Sequence, residues 1–422
     1  MYTTMTNIIS QNTRNLAKSV ELLAPAGNME KLITAIHFGA NAVYLSGKKY
    51  GLRAYADNFD DNEIAQAVQY AHERGVKVYV TLNIFPKNDD FDGLADYLKV
   101  LEKANVDAVL ISDVGMFDFV KNNSNLKIHV STQANTTNKL AVKFWRNLGA
   151  ERIVLAREVP LSDVVEICRF CPDAQIETFV HGAMCVSMSG RCLMSNYLAN
   201  RDANRGECAQ ACRWQWQVRE VGRSDEDFMP VYEDERGTYI FNSKDMNMLA
   251  FLPEVLQAGV VSLKVEGRMK SAFYVATVIN AYRRALDAIA NGTFNNGLIN
   301  ELNAELDKAS HREYTTGFYF GEEQTRQYYP SSKATETYKF VAVVKAVNAD
   351  GTITIEQRNK FVLGDVLETL SVTPDTDKTF AVTSCADENG APVEICNKVK
   401  QILTINCPYK LQVGDILRKP LA

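Results

Sequence analysis

The sequence predicts an α/β protein: a (β/α)8 barrel of the TIM type with a cysteine-rich insertion after its seventh strand, then a small all-β barrel module. Three observations predict it. From Glu21 a short apolar run followed by a longer amphipathic stretch recurs along the chain; residues 183–237 interrupt that rhythm; and after about residue 331 it gives way to alternating strands separated by turns. With 422 residues, 46% hydrophobic and 23% charged, the chain has the length for a barrel and an accessory module. Eight strand–helix units in roughly 270 residues match the size of one barrel. The rival, an open doubly wound sheet, needs a topological switch, and the first strand here lacks a G-x-G-x-x-G turn.

Residues 1–20 are polar, with no apolar core of the signal-peptide kind, and no run of about 18 apolar residues exists that would cross a membrane. The expectation is a cytoplasmic protein. The barrel, 21–330, takes its first seven strands from Glu21–Ala24, Ala42–Leu45, Lys77–Leu82, Ala108–Ile111, Lys127–Val130, Arg152–Leu155 and Ile176–Val180. Each is short and mostly β-branched or aromatic, as suits strands buried on both faces. Between them lie helical stretches. Glu63–Arg74 places Ile64, Ala67, Val68 and Ala71 on one face and stops at Gly75; Leu94–Lys103 and Lys139–Leu148 repeat that spacing, the second before Gly149. The eighth strand, Ser262–Val265, precedes a long helix, Ser271–Ala290, closed by Asn291-Gly292. In the module, 334–422, strands are expected at Lys339–Val347, Thr352–Gln357, Lys378–Val382, Lys400–Ile405 and Gly414–Arg418, with turns at Asn348–Gly351 and Asp387–Gly390.

Active sites of such barrels sit at the C-terminal ends of the strands. Those ends offer Arg53, Asn83, Arg157, Glu158, Glu177, His181, Lys264, Glu266 and Arg268. Charged groups on buried strands are costly unless paired or used, so they read either as a ring of salt bridges or as a binding floor. Hydrolase signatures are absent: there is no H-E-x-x-H, G-x-S-x-G or Walker motif.

Cys185, Cys192, Cys208 and Cys212 form C-x6-C-x15-C-x3-C within the insertion. Four thiolates in so short a span suit an iron–sulfur cluster, with zinc as the alternative; the spacing lacks the C-x2-C pairs usual in zinc knuckles. Cys168 and Cys171 precede the seventh strand, and a strand of about seven residues spans roughly 23 Å, so that pair belongs to the other end of the barrel. Cys385, Cys396 and Cys407 are expected in the module's core. The net charge of −5 excludes a generally basic nucleic-acid coat but not a local one. Arg201, Arg205 and Arg213, interleaved with Tyr197, Trp214 and Trp216, have the make-up of a single-stranded RNA reader; the alternative is that they pack the insertion around its cysteines.

The run Glu177–Cys185 with Ser189-Gly190-Arg191-Cys192 resembles the signature of the collagenase-like peptidases, family thirty-two of the unclassified class. Leu22–Gly27, Asn41–Tyr44, Asn204–Arg213 and Lys264–Lys270 match that family too. The length and the β module look most like its branch of tRNA hydroxylation proteins. The resemblance implies formation of 5-hydroxyuridine at a tRNA wobble position in a prephenate-dependent way. It further implies a 4Fe–4S cluster on Cys185, Cys192, Cys208 and Cys212, and a tRNA partner, with room for a paralogous partner subunit. On this reading Arg53, Arg157 and Arg268 hold the carboxylates of the co-substrate, with Asn83, Glu158 and Lys264 beside them. Glu177, His181 or Glu266 moves protons, and Arg201, Arg205, Arg213 and Trp214 meet the RNA. The family name implies proteolysis as the alternative activity, and an RNA-binding adaptor without catalysis is a third.

Overall fold

The structure, a computed structural model, describes residues 9–52, 57–185, 187–214, 243–321, 334–373 and 378–421, with the short strands 233–234 and 237–238. Eight parallel strands close into a barrel: β1 Glu21–Pro25, β2 Ala42–Leu45, β3 Lys77–Leu82, β4 Ala108–Ile111, β5 Ile128–Val130, β6 Arg152–Val154, β7 Gln175–Ala183 and β8 Ser262–Val265. Each pairs with its sequence neighbour, and β8 closes the circle by pairing with both β7 and β1 (Ser262 opposite Glu177 and Glu21). Every residue of β1, β2, β4, β5, β6 and β8 is buried, which is why these strands read as mostly apolar runs rather than alternating ones, with Glu21, His129, Arg152 and Lys264 among the buried polar exceptions.

The helices between strands follow their sequence signals. Helix α3, Asp61–His72, starts at a capping box in which Asp60 accepts from the Glu63 amide and Glu63 from the Asp60 amide. It buries Ile64, Ala67, Val68 and Ala71. Helix α10, Ala272–Asn291, is buried on nearly all sides because α1 (Gln11–Ser19), α2 (Met29–His37) and α11 (Asn296–Leu306) pack over it.

Three features depart from the sequence expectation. The polar segment before residue 21 contains α1, capped by Ser10, with Thr13 and Ala17 buried; Gln257 donates to the Thr13 hydroxyl at 3.0 Å. Strand β7 continues to Ala183, past the barrel rim. There it takes on an antiparallel strand, Asp245–Asn247, which in turn pairs with Tyr314–Thr315, so the chain returning from the insertion is tied back to the barrel.

The C-terminal module is an antiparallel half-barrel of seven strands, β9 Tyr338–Val347, β10 Thr352–Gln357, β11 Val366–Leu370, β12 Thr379–Ala381, β13 Cys385–Asp387, β14 Ile402–Asn406 and β15 Ile416–Pro420, in the order β12-β11-β15-β9-β10-β14-β13. Register shifts within β9 bend it. It docks on the barrel's outer helices through buried charge. Arg418, fully buried, pairs with Glu305 of α11 at 2.6 Å and with Glu368, while Asp415 meets His37 of α2 at 2.8 Å. Among the described residues no helix is long and apolar enough to cross a membrane.

Candidate active site

A cavity of about 860 Å³ opens at the C-terminal ends of the strands, between the barrel and the insertion. Its floor is charged and aromatic. The Lys264 ammonium sits 4.5 Å over the Tyr44 ring and 5.5 Å from that of Phe179. The Arg157 guanidinium stacks on Phe179 at 4.0 Å and reaches Glu266 at 3.5 Å; Tyr44 donates to the same carboxylate at 3.3 Å. Arg268 donates to the Thr81 hydroxyl at 3.2 Å. Three cations against Glu266 and the Glu177 carboxylate beneath leave a net positive floor, suited to a small anionic ligand. Asn83 also lines the cavity, accepting from the Leu52 amide at 3.3 Å and donating to Ser131 at 3.5 Å. Tyr44 and Phe179 were missed as site residues from sequence; their signal was position alone, aromatics at the upper half of buried strands.

Glu177 does not face this cavity. It lies beneath the floor, fully buried, with one oxygen 2.8 Å from Lys264 and the other 3.1 Å from Arg152. Arg152 also pairs with Glu21, which accepts from Tyr79 at 2.7 Å and from Ser262 at 3.1 Å. Burial pushes the Glu177 carboxyl up, but Lys264 and Arg152 outweigh it and hold it below the usual carboxylate range. The expectation of a proton-transfer group is therefore corrected: Glu177 is the counter-charge of the floor lysine.

His181 is also misplaced by the sequence reading. The register of β7 against β8 shifts between Phe179 and His181, breaking the simple alternation. The imidazole lies among Tyr274, Tyr282 and Tyr314, with Nδ1 3.4 Å from the Tyr282 hydroxyl, and is not among the residues lining the cavity. Burial, then His311 and Lys270, pushes it down to about 3, so it is neutral at physiological pH. An unfolded chain would bind a proton there below about 6.5. Stability is therefore expected to fall between about pH 6.5 and 3, by up to about 1.4 kcal/mol per pH unit from this group. His181→Phe should flatten that part of a urea-midpoint profile against pH; an unchanged slope would contradict it.

The insertion forms the roof. Its first turn is pinned by Glu158, which accepts from the Ser189 amide at 2.7 Å and hydroxyl at 2.9 Å. Glu158 is thereby spent on holding the insertion, contrary to its expected place beside a substrate. Arg191 donates twice to the Gln133 carbonyl, at 3.1 and 3.0 Å. Asn204 clamps Cys192, accepting its amide and donating to its carbonyl, both at 3.1 Å. Arg205 forms a fork to Asp90, 2.9 Å on one side, and donates to the Phe85 carbonyl at 3.1 Å; Arg201 donates to the Glu207 carbonyl at 3.0 Å. These two arginines therefore take the packing role that the sequence left as the alternative. Arg205→Ala is expected to lower the melting temperature of the protein, since Arg205 also holds the Asp90 carboxyl below its usual range. If instead it left melting unchanged and lowered the salt dependence of RNA binding, Arg205 would be a phosphate contact. Trp214 is 41% exposed and lines the cavity. Arg53, Trp216 and the Arg213 side chain lie outside the described residues.

All four insertion cysteines, 185, 192, 208 and 212, line the same cavity. Burial pushes the Cys185 thiol up, and its surroundings include Cys192 and Cys208; the Cys208 sulfur accepts from the Gln210 amide at 3.4 Å. Among the described residues no three metal-ligating side chains converge at coordinating distances. The donor set nevertheless fits a soft metal centre: four sulfurs on loop backbone around one space. Cys171 is buried at the end of α7 (Leu161–Phe170), its sulfur 3.7 Å from the Lys139 carbonyl.

Two family models cover the chain. Peptidase family U32 matches residues 27–328, and the peptidase family U32 C-terminal domain matches 336–418. The chain belongs to peptidase family U32. Among U32 relatives, tRNA hydroxylation protein P1 of Bacillus subtilis is 38% identical over 97% of this chain and 97% of its own length. The tRNA hydroxylation protein P of Escherichia coli is 33% identical over 94% and 96%. A protein named collagenase, from Porphyromonas gingivalis, is 32% identical over 72% of this chain and 74% of its own.

Proposed function

We propose that this U32 member is an RNA-modifying enzyme that hydroxylates a tRNA uridine at C5 at the wobble position. A prephenate-type dicarboxylate is its co-substrate, and a 4Fe–4S cluster is held by Cys185, Cys192, Cys208 and Cys212. The observation that carries the proposal is the cavity itself, which is lined both by Arg157, Lys264 and Arg268 and by four cysteines. The names of relatives that align along nearly the whole chain support RNA hydroxylation as the chemistry.

The residues divide the work. Arg157 and Arg268 bind carboxylates, and Lys264, ion-paired with Glu177 from beneath, lies beside them. Glu266, held by Arg157 and Tyr44, is the carboxylate placed to accept a proton from a bound ligand. A wobble uridine lies in a single-stranded loop, so it can enter the cavity without breaking a duplex. The cluster, when bound, supplies redox or Lewis-acid chemistry.

Proteolysis through a Cys–His pair is disfavoured, because Cys185 lines the cavity whereas His181 is enclosed by tyrosines. The full chain purified without oxygen is expected to bind tRNA and to leave gelatin intact. Gelatin cleavage that survives stringent purification and depends on Cys185, without tRNA binding, would overturn the proposal in favour of the peptidase.

A further inference from the structure

The turn after β8, Glu266-Gly267-Arg268, brings a carboxylate and a guanidinium to the cavity two residues apart. The barrel's ladder ends at Val265, so the turn is placed by its neighbours. The Glu266 amide donates to the His181 carbonyl at 2.9 Å, and the Glu266 carbonyl accepts from the hydroxyl of Tyr274, a buried residue of α10, at 3.0 Å. The Arg268 carbonyl accepts from the Lys31 ammonium of α2 at 3.4 Å. Glycine approaches both carbonyls. A Cβ on Gly182, near the end of β7, would stand 2.5 Å from the Glu266 carbonyl oxygen, and one on Gly27, two residues past β1, 2.4 Å from that of Arg268. Real Cβ atoms do not come within 3.0 Å of a neighbour, and here the neighbour is backbone, which cannot swing aside as a long side chain can. Gly182 also has φ +109, whereas Gly27 lies outside the left-handed region, so at Gly27 the close approach alone requires glycine.

We infer that Gly27 and Gly182 are positioning residues of the site: bare backbone at these two strand ends lets the turn lie where Glu266 and Arg268 act on one bound dicarboxylate. This rests on the co-substrate reading above. Neither glycine lines the cavity, so each acts through the turn and not on the ligand. Groups that work together on a ligand must be held within about 0.5 Å of the productive geometry, and a methyl at either position displaces the turn by at least roughly that much. A misplacement of about 1 Å costs as much as about 10²-fold. The carboxylate and the guanidinium move together, because one three-residue turn carries both.

The test measures prephenate binding and tRNA binding side by side on the full-length protein. Gly27→Ala and Gly182→Ala are each expected to weaken prephenate binding by about tenfold or more, with tRNA affinity and its salt dependence at wild-type values. General destabilisation would instead lower both affinities together, and that result overturns the inference. Gly75→Ala, at the end of α3, places a side chain on left-handed backbone (φ +70) with nothing within 4 Å, and should bind prephenate as wild type does. An equal loss there would assign the effect to backbone strain and overturn the inference too. Tyr274→Phe removes the hydrogen bond to the Glu266 carbonyl without adding bulk, and so tests the same turn if an alanine variant does not fold; it should weaken prephenate binding by about fivefold. If wild type binds prephenate and Gly27→Ala and Tyr274→Phe bind it equally well, the positioning role is overturned while the co-substrate reading stands. If wild type binds no prephenate, both fall.

Discussion

Replacing Cys192 with serine is expected to bleach the broad absorbance near about 400 nm of anaerobically purified protein and to abolish tRNA modification in cells lacking the native gene. A cluster ligated by four thiolates tolerates the loss of one poorly, and Cys192 is the proposed ligand whose backbone is clamped on both sides by Asn204. Cys171→Ser, at the far end of the barrel, should keep both colour and activity. Colourless wild-type protein with stoichiometric zinc would replace the cluster with a zinc site.

Glu177→Gln should have the largest effect on stability. The carboxylate is fully buried and answers both Lys264 and Arg152, and Arg152 retains Glu21 whereas Lys264 does not. Removing one partner of a buried pair leaves an uncompensated charge, at a cost of about 3–5 kcal/mol. A urea midpoint lowered to match would bear this out. Because the folded-state pKa is depressed, Glu177 contributes its stability above the unfolded value and loses it as pH falls through the folded one. Wild type should therefore lose more stability on acidification than the variant. An unchanged midpoint would mean that water or a rearranged neighbour compensates Lys264.

The barrel was legible because strands buried on both faces leave continuous apolar runs that no solvent-facing residue interrupts. Helix α1 was not, because only a narrow stripe about Thr13 and Ala17 is buried and, Leu16 apart, the rest is polar. The short strand Asp245–Asn247 carries no periodicity; it exists because β7 overshoots the rim and offers an unpaired edge. At the site, the floor residues Arg157, Lys264, Glu266 and Arg268 were found from the rule that barrels work at their strand ends. Glu177 and His181 were not placed correctly, since depth within a strand and a register shift are invisible in a one-dimensional pattern. Composition likewise cannot tell an arginine that meets phosphate from one that forks to Asp90, as Arg205 does.

Mass spectrometry of tRNA nucleosides tests the central claim most directly. A strain lacking this gene and any paralogue is expected to lose 5-hydroxyuridine-derived wobble nucleosides. Wild-type protein should restore them, whereas a variant with the floor charge removed, Arg157→Ala with Arg268→Ala, should not. Nucleosides unchanged by the deletion, or restored in full by the floor variant, would contradict a hydroxylation site at the mouth of this barrel.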